Sequence, residues 1–139
     1  MILTCDFEEL TALKASIGRV LDAPGAGGVA APPQVIADIE GLAPQLIGDL
    51  SVESLDELRS IERAVAFLLE RTRIRMDAFV IHEHPAAEAA VLSYFEYAHL
   101  ITFLDRTRRL GAEMAALIEL MTGTPPNDDS TRRFLFPED

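Results

Sequence analysis

Glu96 and His99 are the pair of residues whose types and spacing most suggest a specific reaction centre. They lie three positions apart in a strongly apolar stretch, so in a helix they project from the same face. Helical bundles bind two iron or two manganese ions with this Glu-x-x-His pair, completed by a glutamate from a facing helix. Carboxylate and imidazole ligands suit these metals, and Glu62 or Glu57 is the candidate third ligand.

A purely structural role for these residues is the competing interpretation. The sequence contains one such motif, whereas the usual single-chain site needs two. Glu62 also lies one position away from the apolar seam of its own helix. Glu96 and His99 would then be buried and hydrogen-bonded to neighbours such as Arg106 or Arg108. This interpretation is favoured, so no cofactor is expected, and iron or manganese only under the alternative.

The other reactive side chains also have simpler explanations than catalysis. Cys5, the only cysteine, precedes a helix start and lacks the companions of a nucleophile motif, so a packing role is favoured. His82 and His84 would share one face of an extended segment and could chelate a metal together, but an exposed turn between helices with polar residues is favoured, because connections lie on the surface. The sequence contains no Gly-x-Ser-x-Gly motif and no phosphate-binding glycine loop. It therefore favours a protein that is not an enzyme.

The charge balance limits the classes of partner. The 139 residues include 12 basic and 23 acidic side chains, a net charge of -11. Binding to nucleic acid depends on clustered cations, and an anionic membrane surface attracts cations too, so neither is an expected partner. No basic segment followed by an apolar run opens the sequence, and no uncharged run is long enough to span a bilayer. We expect a cytoplasmic protein.

Two long antiparallel helices dominate the predicted fold. The first begins at a capping box formed by Ser54 and Glu57 and ends before Pro85. The second runs from Pro85 to Thr122, where Gly123 ends it. Apolar or small residues recur three and four positions apart along the first helix, as in a coiled-coil seam: Leu58, Ile61, Val65, Leu68, Thr72, Met76 and Phe79.

A shorter helix is predicted near the N-terminus. Asp6 and Glu9 form a second capping box, and the helix should end near Asp22, before the flexible linker 24–33. Its predicted apolar face consists of Phe7, Leu10, Leu13, Ile17, Val20 and Leu21.

Residues 34–53 leave two alternatives open. Val35, Ile36 and Ile39 fit a short helix that Gly41 could end. Alternatively, the stretch LIGDLSV forms a strand that pairs with MILT at the N-terminus. The period of so short an apolar run does not decide between them.

The second long helix is apolar on nearly every side between residues 89 and 104. A helix that is apolar all round is buried all round, and one neighbouring helix leaves part of it uncovered. We therefore expect an all-α homodimer resembling a four-helix bundle, with 1–123 as its single domain. The predicted interface consists of Val91, Leu92, Phe95 and Phe103.

These features predict a non-catalytic interaction or regulatory adaptor protein that acts as a homodimer with an unidentified protein partner. The alternative is a metal-binding four-helix carboxylate protein with the logic of ferritin-like oxidases.

The C-terminal tail, residues 124–139, is the remaining candidate for a functional segment. Turn-forming residues fill its first part, and Phe134, Leu135 and Phe136 then stand together. Burying a phenyl ring stabilises by about 1.5–3 kcal/mol, so this cluster needs a groove. The groove belongs either to the same chain, which makes the tail a clasp, or to another protein. The clasp is favoured because apolar termini are usually tied down.

Deletion of residues 131–139 tests the clasp. We expect a lower melting temperature, because two buried rings would be lost, as measured by circular dichroism. An unchanged melting curve together with a protease-sensitive tail in the full chain would contradict the clasp and favour docking on a partner.

Overall fold

The computed structural model describes residues 1–23, 30–82 and 87–123, and within them four α-helices surround one apolar core. The elements are β1 (Ile2–Leu3), α1 (Phe7–Asp22), α2 (Pro33–Leu42), β2 (Leu50–Ser51), α3 (Leu55–His82) and α4 (Ala87–Thr122). The long helices α3 and α4 pack most extensively, and α1 and α2 lie against them. The mostly helical fold expected from the sequence is confirmed.

The N-terminal helix begins as predicted but buries a different face. The Asp6 carboxylate accepts from the backbone amide of Glu9 at 2.7 Å, and the Glu9 carboxylate accepts from that of Asp6 at 3.1 Å. Phe7, however, is 78% exposed, and Leu21 is exposed too. Both were wrongly assigned to the buried face, because its centre lies about half a turn from Phe7. That face consists of Glu9, Ala12, Leu13, Ser16, Ile17 and Val20.

Both alternatives for residues 34–53 are realised, one after the other. Pro33 opens α2, and Gly41 lies inside this helix rather than ending it. The chain then returns as β2, which pairs antiparallel with β1, with Leu3 opposite Leu50. This ribbon places the N-terminus beside the start of α3.

The core is built from residues of all four helices and both strands. The α3 seam is buried from Leu58 through Thr72, and Phe103 of α4 is the largest fully buried side chain packed against it. The cap of α3 differs from the predicted reciprocal box. Ser54 Oγ accepts from the backbone amide of Glu57, but the Glu57 carboxylate accepts from that of Glu53.

Several predictions fall on residues outside the described ranges. They are most of the linker 24–33, the segment containing His84, and the tail with Phe134, Leu135 and Phe136. Pro33, the last linker residue, belongs instead to α2. Among the described helices none is long and apolar enough to span a membrane.

Candidate functional site

Buried carboxylates paired with arginines are the principal polar feature of the helix interfaces. An unpaired buried carboxylate is costly, and here each is hydrogen-bonded to an arginine from another helix. The pairs are Glu9 with Arg106, Asp38 with Arg63, Glu62 with Arg108, and Glu96 with Arg19 and Arg75. In the same order, the first three pairs join α1 to α4, α2 to α3, and α3 to α4. The last, around Glu96, joins α4 to both α1 and α3.

The Glu96 cluster connects three helices through one carboxylate oxygen. Glu96 Oε2 accepts from Arg75 Nη2 at 2.6 Å, from Ser16 Oγ at 3.3 Å and from Arg19 Nη2. Glu96 is buried, whereas the side chains of Arg19 and Arg75 are 45% and 29% exposed. Burial lowers the pKa of Arg75, and the nearby positive charge of Arg19 lowers it further, although Glu96 opposes both effects.

The partners of Glu96 differ from those expected. Arg106 donates to Glu9 at 2.5 Å, and Arg108 donates to Glu62 at 3.4 Å. Both arginines lie ten or more residues, about 15 Å or more, along α4 from Glu96. Sequence reasoning missed Arg19 and Arg75, and only a polar residue on the apolar face of α1, Ser16, hinted at a buried partner on that side.

The proposed metal ligands are held by different neighbours. Glu62 bonds to Arg108, Glu96 bonds to Arg19 and Arg75, and the His99 ring packs against Phe95 with centroids 4.5 Å apart. Among the side chains that the structure describes, no three His, Cys, Asp or Glu groups are arranged to hold a metal ion.

Glu9 is the most deeply buried of the carboxylates, and it also affects Cys5. Besides its capping bond, it accepts from Arg106 Nη1 and from Thr102 Oγ1 at 2.7 Å. Burial, together with the negative charges of Glu9 and Asp6, raises the pKa of the Cys5 thiol to about 11. Because the thiolate is the nucleophilic form, Cys5 is suited to packing rather than catalysis.

A cavity of about 470 Å³ lies beside the Glu96 cluster, between the C-terminal half of α1 and α3. Arg19 and Arg75 line it, and Glu96 lies behind them. Its remaining walls are mainly apolar. The lining therefore combines apolar surface with guanidinium groups in one concave site.

The outward face of α4 exposes large apolar side chains near both of its ends. Val91 and Leu92 are exposed as expected for interface residues, Tyr94 is exposed as well, and Phe95 is half-buried against His99. Phe103 was wrongly placed in the interface. It lies about a third of a turn from Val91 and belongs to the core of the chain. The exposed residues near the other end are Leu117, Leu120 and Met121.

Comparison of the chain with protein-family models, with curated proteins and with solved structures gives no match. The outer face of α4 is therefore the observation from which a function is inferred.

The Glu96 cluster generates a test of its structural role. In the double variant Arg19→Met and Arg75→Met, we expect the free energy of unfolding to fall by about 3–5 kcal/mol, because a buried carboxylate loses both cationic partners. The deficit should shrink on acidification, because a protonated carboxyl group tolerates burial better than a carboxylate. Denaturant titrations at two pH values measure both effects.

The matched control is Arg73→Met, which removes an exposed α3 arginine paired with Glu70 and Asp77. Its stability should stay close to that of the unmodified protein. A double variant as stable as this control would show that the cluster is not needed for folding.

Proposed function

We propose that the protein is a non-catalytic interaction or regulatory module that acts as a homodimer, assembled through the outer face of α4. The observation that carries the proposal is the arrangement of residues on this face, which is complementary to itself. The wider role as an adaptor follows from the dimer, which would present two copies of every other surface at a fixed separation.

The outer face of α4 has the spacing of a helix-pairing seam. Its positions recur three or four residues apart over about 44 Å of helix. Val91 is 66% exposed and Leu120 is 81% exposed, so large apolar groups stand at the two ends. The seam consists of Val91, Tyr94, Ala98, Thr102, Asp105, Arg109, Ala112, Ala116 and Leu120. Thr102, whose hydroxyl donates to Glu9, and Ala112, which packs against the core, lie at its inner edge.

An antiparallel pair of α4 helices matches this seam with itself. With the twofold axis between Asp105 and Arg109, each of these residues lies opposite the other in the second copy, which forms two equivalent ion pairs. The same register places Tyr94 opposite Leu120, Ala98 opposite Ala116, and Thr102 opposite Ala112. Tyr94 and Leu120 thereby cover each other near both ends of the paired helices, as exposed apolar surface requires.

The central charges select this orientation over a parallel one. In a parallel pair Asp105 would face Asp105, and Arg109 would face Arg109. Like charges placed opposite each other destabilise an interface. Within the described part of the chain neither side chain has an ion-pair partner, so both are available to a second copy.

Charge exchange at the centre of the seam tests the homodimer. D105R and R109D should each weaken dimerisation roughly tenfold or more, because each variant places two pairs of like charges across the axis. The combined variant D105R/R109D should restore it, because opposite charges face each other again. Sedimentation equilibrium measures the dissociation constants.

Lys14→Asp on the exposed side of α1 is the control for net charge and should leave dimerisation unchanged. A monomeric unmodified protein would overturn the proposal. A dimer insensitive to both single exchanges would show that another surface associates.

The metal-binding carboxylate protein remains the second candidate function, carried by the Glu96–His99 motif alone. The arginines on Glu96 already balance its charge, which favours the non-catalytic proposal. We expect purified protein to contain far less than one iron or manganese per chain by elemental analysis, with no decrease in Glu96→Ala. Near-stoichiometric metal that is lost in this variant would instead support the oxidase-type function.

A further inference from the structure

The C-terminal end of α4 continues beyond the start of α3. Arg108 pairs with Glu62, and this contact sets the register of the two antiparallel helices. Leu55, the first residue of α3, therefore lies level with about residue 115 of α4. The last two turns of α4 extend about 10 Å past α3, and we call this part, residues 116–122, the overhang of α4.

The overhang exposes large apolar side chains on and beside the face that packs on the core elsewhere in α4. Met121 is 83% exposed and lies about two turns beyond Met114, which is buried in the core. Leu117 is exposed beside it, and Ile118, on the core side of both, is only partly buried. Met121 lies about 100° round the helix from Leu120 of the dimer seam, so these side chains form a separate surface.

We propose that the overhang is the docking site of the chain's own C-terminal tail, with Phe134, Leu135 and Phe136 packed on Leu117 and Met121. Exposed apolar side chains that cluster in one place mark an interaction site. A methionine side chain adapts its shape to aromatic rings, and its sulfur contacts them favourably. The proposal names the surface on which the clasp predicted from the sequence would close, and it does not depend on the proposed dimer.

The end of α4 turns the chain off the helix axis directly after the overhang. Gly123 has a φ of +73°, the left-handed conformation that commonly ends a helix, and its amide donates to the carbonyl of Glu119 at 2.8 Å. The chain from Gly123 to Phe134 spans at most roughly 36–40 Å, whereas Leu117 lies only about 9 Å back along the helix. The tail is therefore long enough to reach the overhang, and the covalent link gives it a high effective concentration there.

The order of charges in the tail suits this surface. Arg132 and Arg133 directly precede the apolar cluster of the tail, whereas Glu138 and Asp139 follow it. Exposed Glu113 lies one turn before the overhang, and the first turn of α3, at the level where the overhang begins, is acidic too. Docking with the two arginines on this side places opposite charges near each other and leaves the terminal carboxylates at the far side of the cluster.

A double-mutant cycle between the tail and the overhang tests the docking. Phe134→Ser with Phe136→Ser is the tail variant, and Leu117→Gln with Met121→Gln is the overhang variant. All chains carry D105R, so that the proposed dimer does not contribute. We expect the tail variant to lower the melting temperature of the parent chain by about 5 °C. In the overhang variant the same tail change should have almost no effect, because the contact is already lost.

Val91→Gln near the opposite end of α4 is the matched control. It removes an exposed apolar side chain about 45 Å from Met121, so its effect and that of the tail variant should add. If the double overhang variant fails to fold, Met121→Gln alone repeats the cycle.

Three results would overturn the proposal. The first is additivity of the tail and overhang variants, which would place the tail on another surface. The second is a tail variant that leaves the melting temperature of the parent chain unchanged. The third is coupling that grows with protein concentration, which would assign the overhang to the tail of a second copy. Because the cycle uses no dissociation constants, it fails independently of the dimer.

Discussion

The buried carboxylate of Glu96 imposes the constraint on which the arrangement of the three longer helices depends. A carboxylate removed from water is stable only with charged or hydrogen-bonding partners at contact distance. Here those partners come from two other helices, Arg19 and Ser16 on α1 and Arg75 on α3. Apolar packing alone tolerates small shifts between helices, whereas this cluster is satisfied only when α1, α3 and α4 meet in one relative position.

The other helix interfaces also pair a buried carboxylate with a cation, and in each pair the cation is an arginine. The sequence has a single lysine, Lys14, and eleven arginines. A guanidinium group carries several donors in a planar fork and is less strongly hydrated than an ammonium group, so it can bond a buried carboxylate while its edge remains in water. Arg63 shows this geometry, since two of its nitrogens bond the two oxygens of Asp38.

The proposed dimer uses the part of α4 that this framework leaves over. On α4 the inward face meets the core and the carboxylate–arginine pairs, so the outward seam, with Asp105 and Arg109 at its centre, is the part available to a second copy.

Local sequence determined the helices and their ends, because capping boxes such as Asp6–Glu9 and helical apolar periodicity act within a few residues. It also indicated that Glu96 would be buried, since its neighbours on α4 are apolar. Which arginines reach Glu96, and that Phe7 is exposed while Phe103 is internal, was decided by tertiary structure. Those outcomes depend on the rotation of each helix about its axis and on contacts between residues about 80 positions apart, and spacing within one helix carries no information about either.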